Sequence, residues 1–153
     1  MQSEYTKGDI IKGTGLTPRE VQYLTEEGLV IPEIENPAGD ARGKVRRFSH
    51  SNYEDFHAAK VLYSFGVRLW QVKAFLSYVR QEKTVQMYRS QKLYRTTELY
   101  IFFLQTKGEK FRFNYLMASE PHRMPILEGE DMNQYSSYIV INYGEVLRNA
   151  ALG

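Results

Sequence analysis

Apolar residues in the first half of the chain recur at helical intervals between punctuating glycines and prolines. Thr6 precedes a short stretch with Asp9 at its third position and Ile10 and Ile11 as apolar content, closed by Gly13 and Gly15. That pattern predicts a short helix capped by Thr6. Thr17-Pro18-Arg19-Glu20 then places a capping threonine, a proline at the first helical position and a glutamate at the third. This is a capping box with the favoured proline inside it. Val21 and Leu24 supply the inward face, Gly28 the stop, and Leu29 follows. Two short helices joined by a glycine-containing turn predict a helix-turn-helix.

The pattern changes over residues 30–48, which hold Pro32, Pro37, Gly39 and Gly43 around an Asn-Pro-Ala-Gly-Asp turn. Val30-Ile31 on one side and Lys44 to Phe48 on the other predict a β-hairpin with a long tip. The second arm carries Arg42, Lys44, Arg46 and Arg47 with no acid among them, the densest basic patch in the sequence. Ser49 or Ser51 caps a third predicted helix, with Glu54 three residues after Ser51. Tyr53, Phe56, Ala59, Leu62 and Phe65 form its apolar face, and Gly66 breaks it. A fourth helix presents Leu69, Val72, Phe75, Leu76 and Val79 on one face.

From about Gln81 the chain turns polar and tyrosine-rich. A helix is predicted from Glu82 to Phe103, carrying Val85, Tyr88, Leu93, Tyr94, Leu99 and Tyr100 and ending at Gly108. Lys110 to Met117 alternates with period two, a strand signal, and Tyr138 to Tyr143 gives a second strand. A loop through Pro121, Pro125 and Gly129 separates them, and Glu145 to Leu152 closes the chain as a helical turn or short helix. The expected fold class is α+β: an N-terminal winged helix-turn-helix of four helices and a basic hairpin wing, then a small helix-plus-strands region. The expected boundary puts a DNA-binding domain at 4–80 and a region for dimerisation or for effector or partner binding at 81–153.

Composition narrows the chemistry. The formal net charge is only +2, so the placement of charge, not its sum, decides any nucleic-acid reading. Cysteine is absent, which excludes disulfides, thiol nucleophiles and thiolate metal sites. His50, His57 and His122 lack the spacing of a metal pair, so no metal and no cofactor are expected. GDIIKGTG lacks the strand context of a phosphate loop, Glu26-Glu27 and Glu130-Asp131 resemble solvated surface, and no catalytic set emerges. The expectation is a protein that is not an enzyme. No apolar run approaches the ~20 residues of a membrane span, and the first residues show no signal-peptide core. The expected location is the cytoplasm, on the nucleoid.

A helix-turn-helix sets the first turns of its second helix against base edges in the major groove. The exposed residues there are Arg19, suited to guanine, and Gln22, suited to adenine. Tyr23 offers a hydroxyl to a phosphate, or packs half-buried. The helix start at Thr17 and Pro18 adds partial positive charge. Arg42, Lys44, Arg46 and Arg47 would grip the neighbouring backbone, giving affinity more than specificity. The partner implied is double-stranded DNA.

The order and spacing of these pieces resemble the MerR family of bacterial transcriptional regulators. The matching stretches are YTKGDIIKGTGLTPREVQYLTEEGLV, RRFSHSNYEDF and FGVRLWQVKAFL. Gly15-Leu16-Thr17, Gly28-Leu29 with Pro32, Arg47-Phe48-Ser49 and Gly66-Val67-Arg68-Leu69 correspond to the family's pattern. The resemblance implies a dimer on an inverted-repeat promoter site, distortion of promoter DNA that repositions RNA polymerase contacts, and tuning by a small-molecule or protein effector. It also implies that Arg68 sits in a second wing, in reach of backbone phosphate. Three departures stand out. Arg68 replaces the usual small capping residue before the fourth helix. Gln22-Tyr23-Leu24 replaces the usual Arg-Tyr-Tyr, implying a different base preference. A seam of Val85, Tyr88, Lys92, Arg95 and Leu99 has two basic members, unlike the family's long coiled-coil helix. Two other readings are an architectural or excisionase-like DNA-binding accessory protein, and a protein-interaction module that has lost DNA binding. Tyr94, Tyr100, Tyr115, Tyr138 and Tyr143 with Glu145 either line a pocket for a cationic ligand or serve as core and interface aromatics.

Overall fold

Three capping boxes set the frame of the N-terminal half. In the computed structural model, which describes residues 3–33, 47–107, 110–120, 127 and 129–152, Thr6 starts α1 (Lys7–Thr14) and Thr17 starts α2 (Pro18–Glu26), each paired reciprocally with the acid at N3, Asp9 and Glu20. Gly15 (φ 76°) and Gly28 (φ 71°) take the left-handed conformation that turns the chain at the end of each helix. The third box belongs to Ser49, not Ser51. Ser49 Oγ accepts the Asn52 N–H at 3.0 Å and Asn52 Oδ1 accepts the Ser49 N–H at 3.1 Å, opening α3 (His50–Ser64). Glu54, the acid expected to partner Ser51, is instead buried with its carboxylate 3.9 Å from His50 Nε2. A turn at Gly66 leads to α4 (Leu69–Gln81). Because α3 ends at Ser64, Phe65 leaves the apolar face on which the periodicity had put it and is 60% exposed.

The chain divides into two compact units, residues 1–79 with 149–153, and residues 80–148. In the first, Ile10, Leu16, Val21, Leu24, Phe48, Phe56, Leu62, Val72, Phe75 and Leu76 are buried. Phe48 meets Phe56 edge-on with ring centroids 5.2 Å apart.

Only the ends of the predicted hairpin lie within the described residues. Phe48–Ser49 is a short strand, β2, but its antiparallel partner is β1 (Glu4–Tyr5), not Val30-Ile31. Asn52 Nδ2 donates to the Ile31 carbonyl at 2.7 Å and its Oδ1 accepts the Glu33 N–H at 3.0 Å, so a buried side chain satisfies part of the backbone of the first arm. The tip of the predicted wing, with Arg42, Lys44 and Arg46, lies outside the described residues.

Tyr53 stacks on Tyr5 at 4.3 Å and meets His57 edge-on at 4.6 Å. Burial, and secondly His50, push the His57 pKa below its ordinary value. The unfolded chain therefore binds a proton near pH 6.5 that the folded chain resists, so stability present above that pH drains away as the pH falls. Urea midpoints measured at pH 7.5 and 5.5 are expected to fall less in His57→Phe than in the parent protein. Equal falls would remove His57 as the cause.

Among its described residues the second unit holds α5 (Lys83–Ser90), 3-10 turns at Leu93–Arg95 and Met132–Gln134, and three antiparallel strands: β3 (Glu98–Thr106), β4 (Phe111–Ala118) and β5 (Tyr135–Asn142). The sheet order is β4-β3-β5, and α6 (Tyr143–Leu152) follows. The predicted helix from Glu82 to Phe103 is thus corrected. Only its first part is helical; Lys92, in the left-handed region at φ 55°, ends the helical stretch. From Glu98 the segment is the central strand. All residues from Glu98 to Leu104 are buried, so the strand has no polar alternation to betray it.

Tyr100 pairs with Leu116 and Ile101 with Tyr115 across the β3–β4 ladder. Tyr100 and Tyr115 therefore point to opposite faces. Tyr100, Phe102, Leu104, Leu127 and Tyr135 form one cluster, while Phe103 packs on Phe111 and Phe113 on the other face, at 4.9 and 4.6 Å. Tyr143 is fully buried and Tyr138 is exposed. These tyrosines do not converge on one pocket. Where the chain passes from sheet to α6, Arg148 donates to the Tyr94 carbonyl at 2.6 Å and to the buried Glu98 at 2.7 Å. On the far side, Glu130 accepts from Arg112, from Asn114 Nδ2 at 3.1 Å and from Tyr135 Oη at 2.9 Å.

Candidate nucleic-acid interface

The start of α2 is rigid. Thr17 Oγ1 accepts the Glu20 N–H at 3.1 Å and Glu20 Oε2 accepts the Thr17 N–H at 3.3 Å. Pro18 has no N–H to give, so the cap itself consumes two of the donors that a phosphate would use at this end. Val21 and Leu24 are buried, fixing the roll of the helix. The opposite side then carries Arg19, Gln22 and Tyr23, all exposed and separated by helical spacings that put them on one face. Gln22 Nε2 donates to Glu26 Oε1 at 2.9 Å, which holds its amide along the helix surface.

Tyr23, 43% exposed, forms one wall of a surface cleft of about 360 Å³. Thr17, Arg19, Glu20 and Tyr63 complete the lining. Tyr63 comes from α3 and was missed in the sequence, where the apolar face was traced through Leu62 to Phe65. The i, i+4 step from Ala59 to Tyr63 was the signal that pointed to it. Burial raises the Tyr63 hydroxyl pKa, with Glu20 and Tyr23 adding to the shift, so its ring stays uncharged in the cleft.

Two further predicted basic residues belong to the same unit. Arg47, just before β2, pairs with Glu4 at 2.9 Å, both half-exposed. Such a pair contributes little to stability and releases easily to a phosphate. Arg68 precedes α4, exposed, with its backbone N–H donated to Gln71 Oε1 at 2.9 Å. Phe65 and Trp70, 60% and 52% exposed, stand on either side of it in the chain. Lys60 Nζ reaches the Gly15 carbonyl at 3.3 Å, a cation at the end of α1.

Residues 5–79 match the family described as MerR HTH family regulatory protein. This segment is a MerR-family helix-turn-helix domain. The MerR match runs from β1 through α4 and so takes in α2, Arg47 and Arg68 together. It assigns the N-terminal half to DNA binding and transcription regulation. No curated protein has a sequence that matches this chain. No helix among the described residues is long and apolar enough to cross a membrane.

Proposed function

We propose that this protein is a sequence-specific transcriptional regulator of MerR type that binds duplex DNA as a homodimer on an inverted-repeat promoter site. The observation that carries the reading is the outer face of α2. Val21 and Leu24 are sunk in the core, and Arg19, Gln22 and Tyr23 are held out together from a doubly capped start. In this reading Arg19 and Gln22 contact base edges, and Thr17, Pro18 and Tyr23 border the phosphate line. Arg42, Lys44, Arg46 and Arg47 grip the backbone from the wing, and Arg68 grips it from the turn before α4.

The dimer does not use the long helix usual in the family, since α5 spans only Lys83–Ser90. What supports a second chain is β5. Among the described residues it is an edge strand of the sheet, and YSSYIVIN contains neither proline nor a charged residue. Edges that must stay single are usually blunted by such residues. The β4 edge, by contrast, carries Arg112, and Asn114 Oδ1 accepts the Tyr115 N–H at 2.8 Å. Residues 81–153 would also receive an effector or a protein partner such as RNA polymerase.

Genomic footprinting is expected to place bound sites between promoter elements. Arg46→Ala/Arg47→Ala is expected to weaken duplex binding about tenfold or more and to lower the salt slope by about 2, one unit for each lost phosphate contact. Gel shifts across a salt series measure both. Absence of salt-dependent duplex binding in the parent protein would leave a protein-interaction role. Sedimentation showing monomers side by side on DNA would favour an architectural or excisionase-like role.

A further inference from the structure

We propose that the cleft between Tyr23 and Tyr63 reads the C5-methyl group of a pyrimidine in the major groove, beside the base pair contacted by Arg19. This rests on the DNA-binding reading of α2 and adds to it a chemical class of base. Four observations carry it. The cleft lies on the exposed face of α2, at the end that enters the groove. Its walls include two tyrosine rings, Tyr23 from α2 and Tyr63 from α3, and an apolar wall is matched by an apolar group. The C5-methyl of thymine or 5-methylcytosine is the apolar group that base edges present in the major groove.

The third observation concerns charge. Glu20 also lines the cleft, with its carboxylate held by the capping bond to the Thr17 N–H, and a fixed carboxylate there repels a phosphate. The phosphate line is thereby pushed to the rim and the cleft is left to a neutral edge. Fourth, Arg19 lines the same cleft. A guanidinium beside it draws the DNA in and is matched to guanine O6 and N7 on an adjacent step. Gln22, tied to Glu26, is not among the lining residues. The methyl contact thus supplies discrimination at a position where no amide bond is made.

The test uses the full-length protein and its footprinted duplex site. Each thymine of a half-site is replaced singly by deoxyuridine, which deletes the methyl group and leaves every hydrogen-bonding edge intact. One position is expected to lose about 4-fold in affinity, the value of one buried methyl. In a second series each cytosine is replaced by 5-methylcytosine. A loss in the first series identifies thymine as the natural occupant, and a comparable gain in the second identifies 5-methylcytosine. In Tyr23→Ala, whose fold is verified by Trp70 fluorescence, overall affinity is expected to fall and the methyl effect to vanish, so that the thymine and deoxyuridine duplexes bind the variant alike. Indifference to both replacements throughout the half-site, or a methyl effect that survives Tyr23→Ala, would overturn the inference while leaving DNA binding intact. No duplex binding by the parent protein would overturn the DNA-binding reading and this inference with it.

Discussion

Arg148→Met is expected to destabilise the unit spanning residues 80–148 by about 3 kcal/mol, the cost of stranding a buried charge. The carboxylate left behind belongs to Glu98, whose side chain is 11% exposed and bonded to Arg148 Nη2 at 2.7 Å. The same guanidinium caps the Tyr94 carbonyl at 2.6 Å and reaches Glu145 at 3.0 Å. One side chain on α6 therefore ties together the 3-10 turn, the first residue of β3 and its own helix. Methionine keeps most of the stem volume, so the loss measures charge and hydrogen bonds more than packing.

Glu98 cannot relax toward water cheaply, because Tyr88 and Gly144 crowd it. A Cβ placed on Gly144 would lie 2.5 Å from Tyr88 Oη and 3.3 Å from Glu98 Oε2. Burial also pushes the Tyr88 phenol up, so it stays protonated and donates to the Thr97 carbonyl. Hydrogen exchange of the β3 amides measures the loss. Equal protection in parent and variant would show that the ion pair contributes nothing net.

How far the sequence carried the fold depends on how local the controlling interaction is. The first two capping boxes span residues 6–9 and 17–20, and both are formed as the spacing predicted. Arg19, Gln22 and Tyr23 share a face for the same local reason. The choice of Ser49 over Ser51 hung on Asn52, which also bonds to Ile31 and Glu33 about twenty residues away, and no local pattern encodes that reach. β1 is two residues long, too short to show a period, so its pairing with β2 was not anticipated. β3 was mistaken for helix because burial on both faces erases the alternation that marks a strand. Tyr63 and Arg148 act across elements, and their partners become visible only when the chain is folded.

Gly13→Ala is expected to cost the unit containing residues 1–79 about 3 kcal/mol, the upper part of the usual range for overpacking. In the sequence Gly13 resembled a helix stop; in the fold it lies inside α1, and Gly15 makes the turn. Its role is to leave room. A Cβ there would fall 1.9 Å from Tyr53 Oη and under 3 Å from two ring carbons. The ring has nowhere to retreat, being stacked on Tyr5 at 4.3 Å on one face and met edge-on by His57 at 4.6 Å. Alanine ordinarily stabilises a helix interior relative to glycine by about 0.5–1 kcal/mol, so a net loss isolates the clash. Chemical unfolding followed by Trp70, the single tryptophan, reports this unit. Gly13→Ala/Tyr53→Leu removes the ring and is expected to recover part of the deficit, giving a favourable coupling energy of about 1 kcal/mol or more in the double-mutant cycle. Strict additivity of the two substitutions would mean that α1 shifts away from α3 instead. In that case α2 would move with α1, and the variant's affinity for duplex DNA would fall along with its stability.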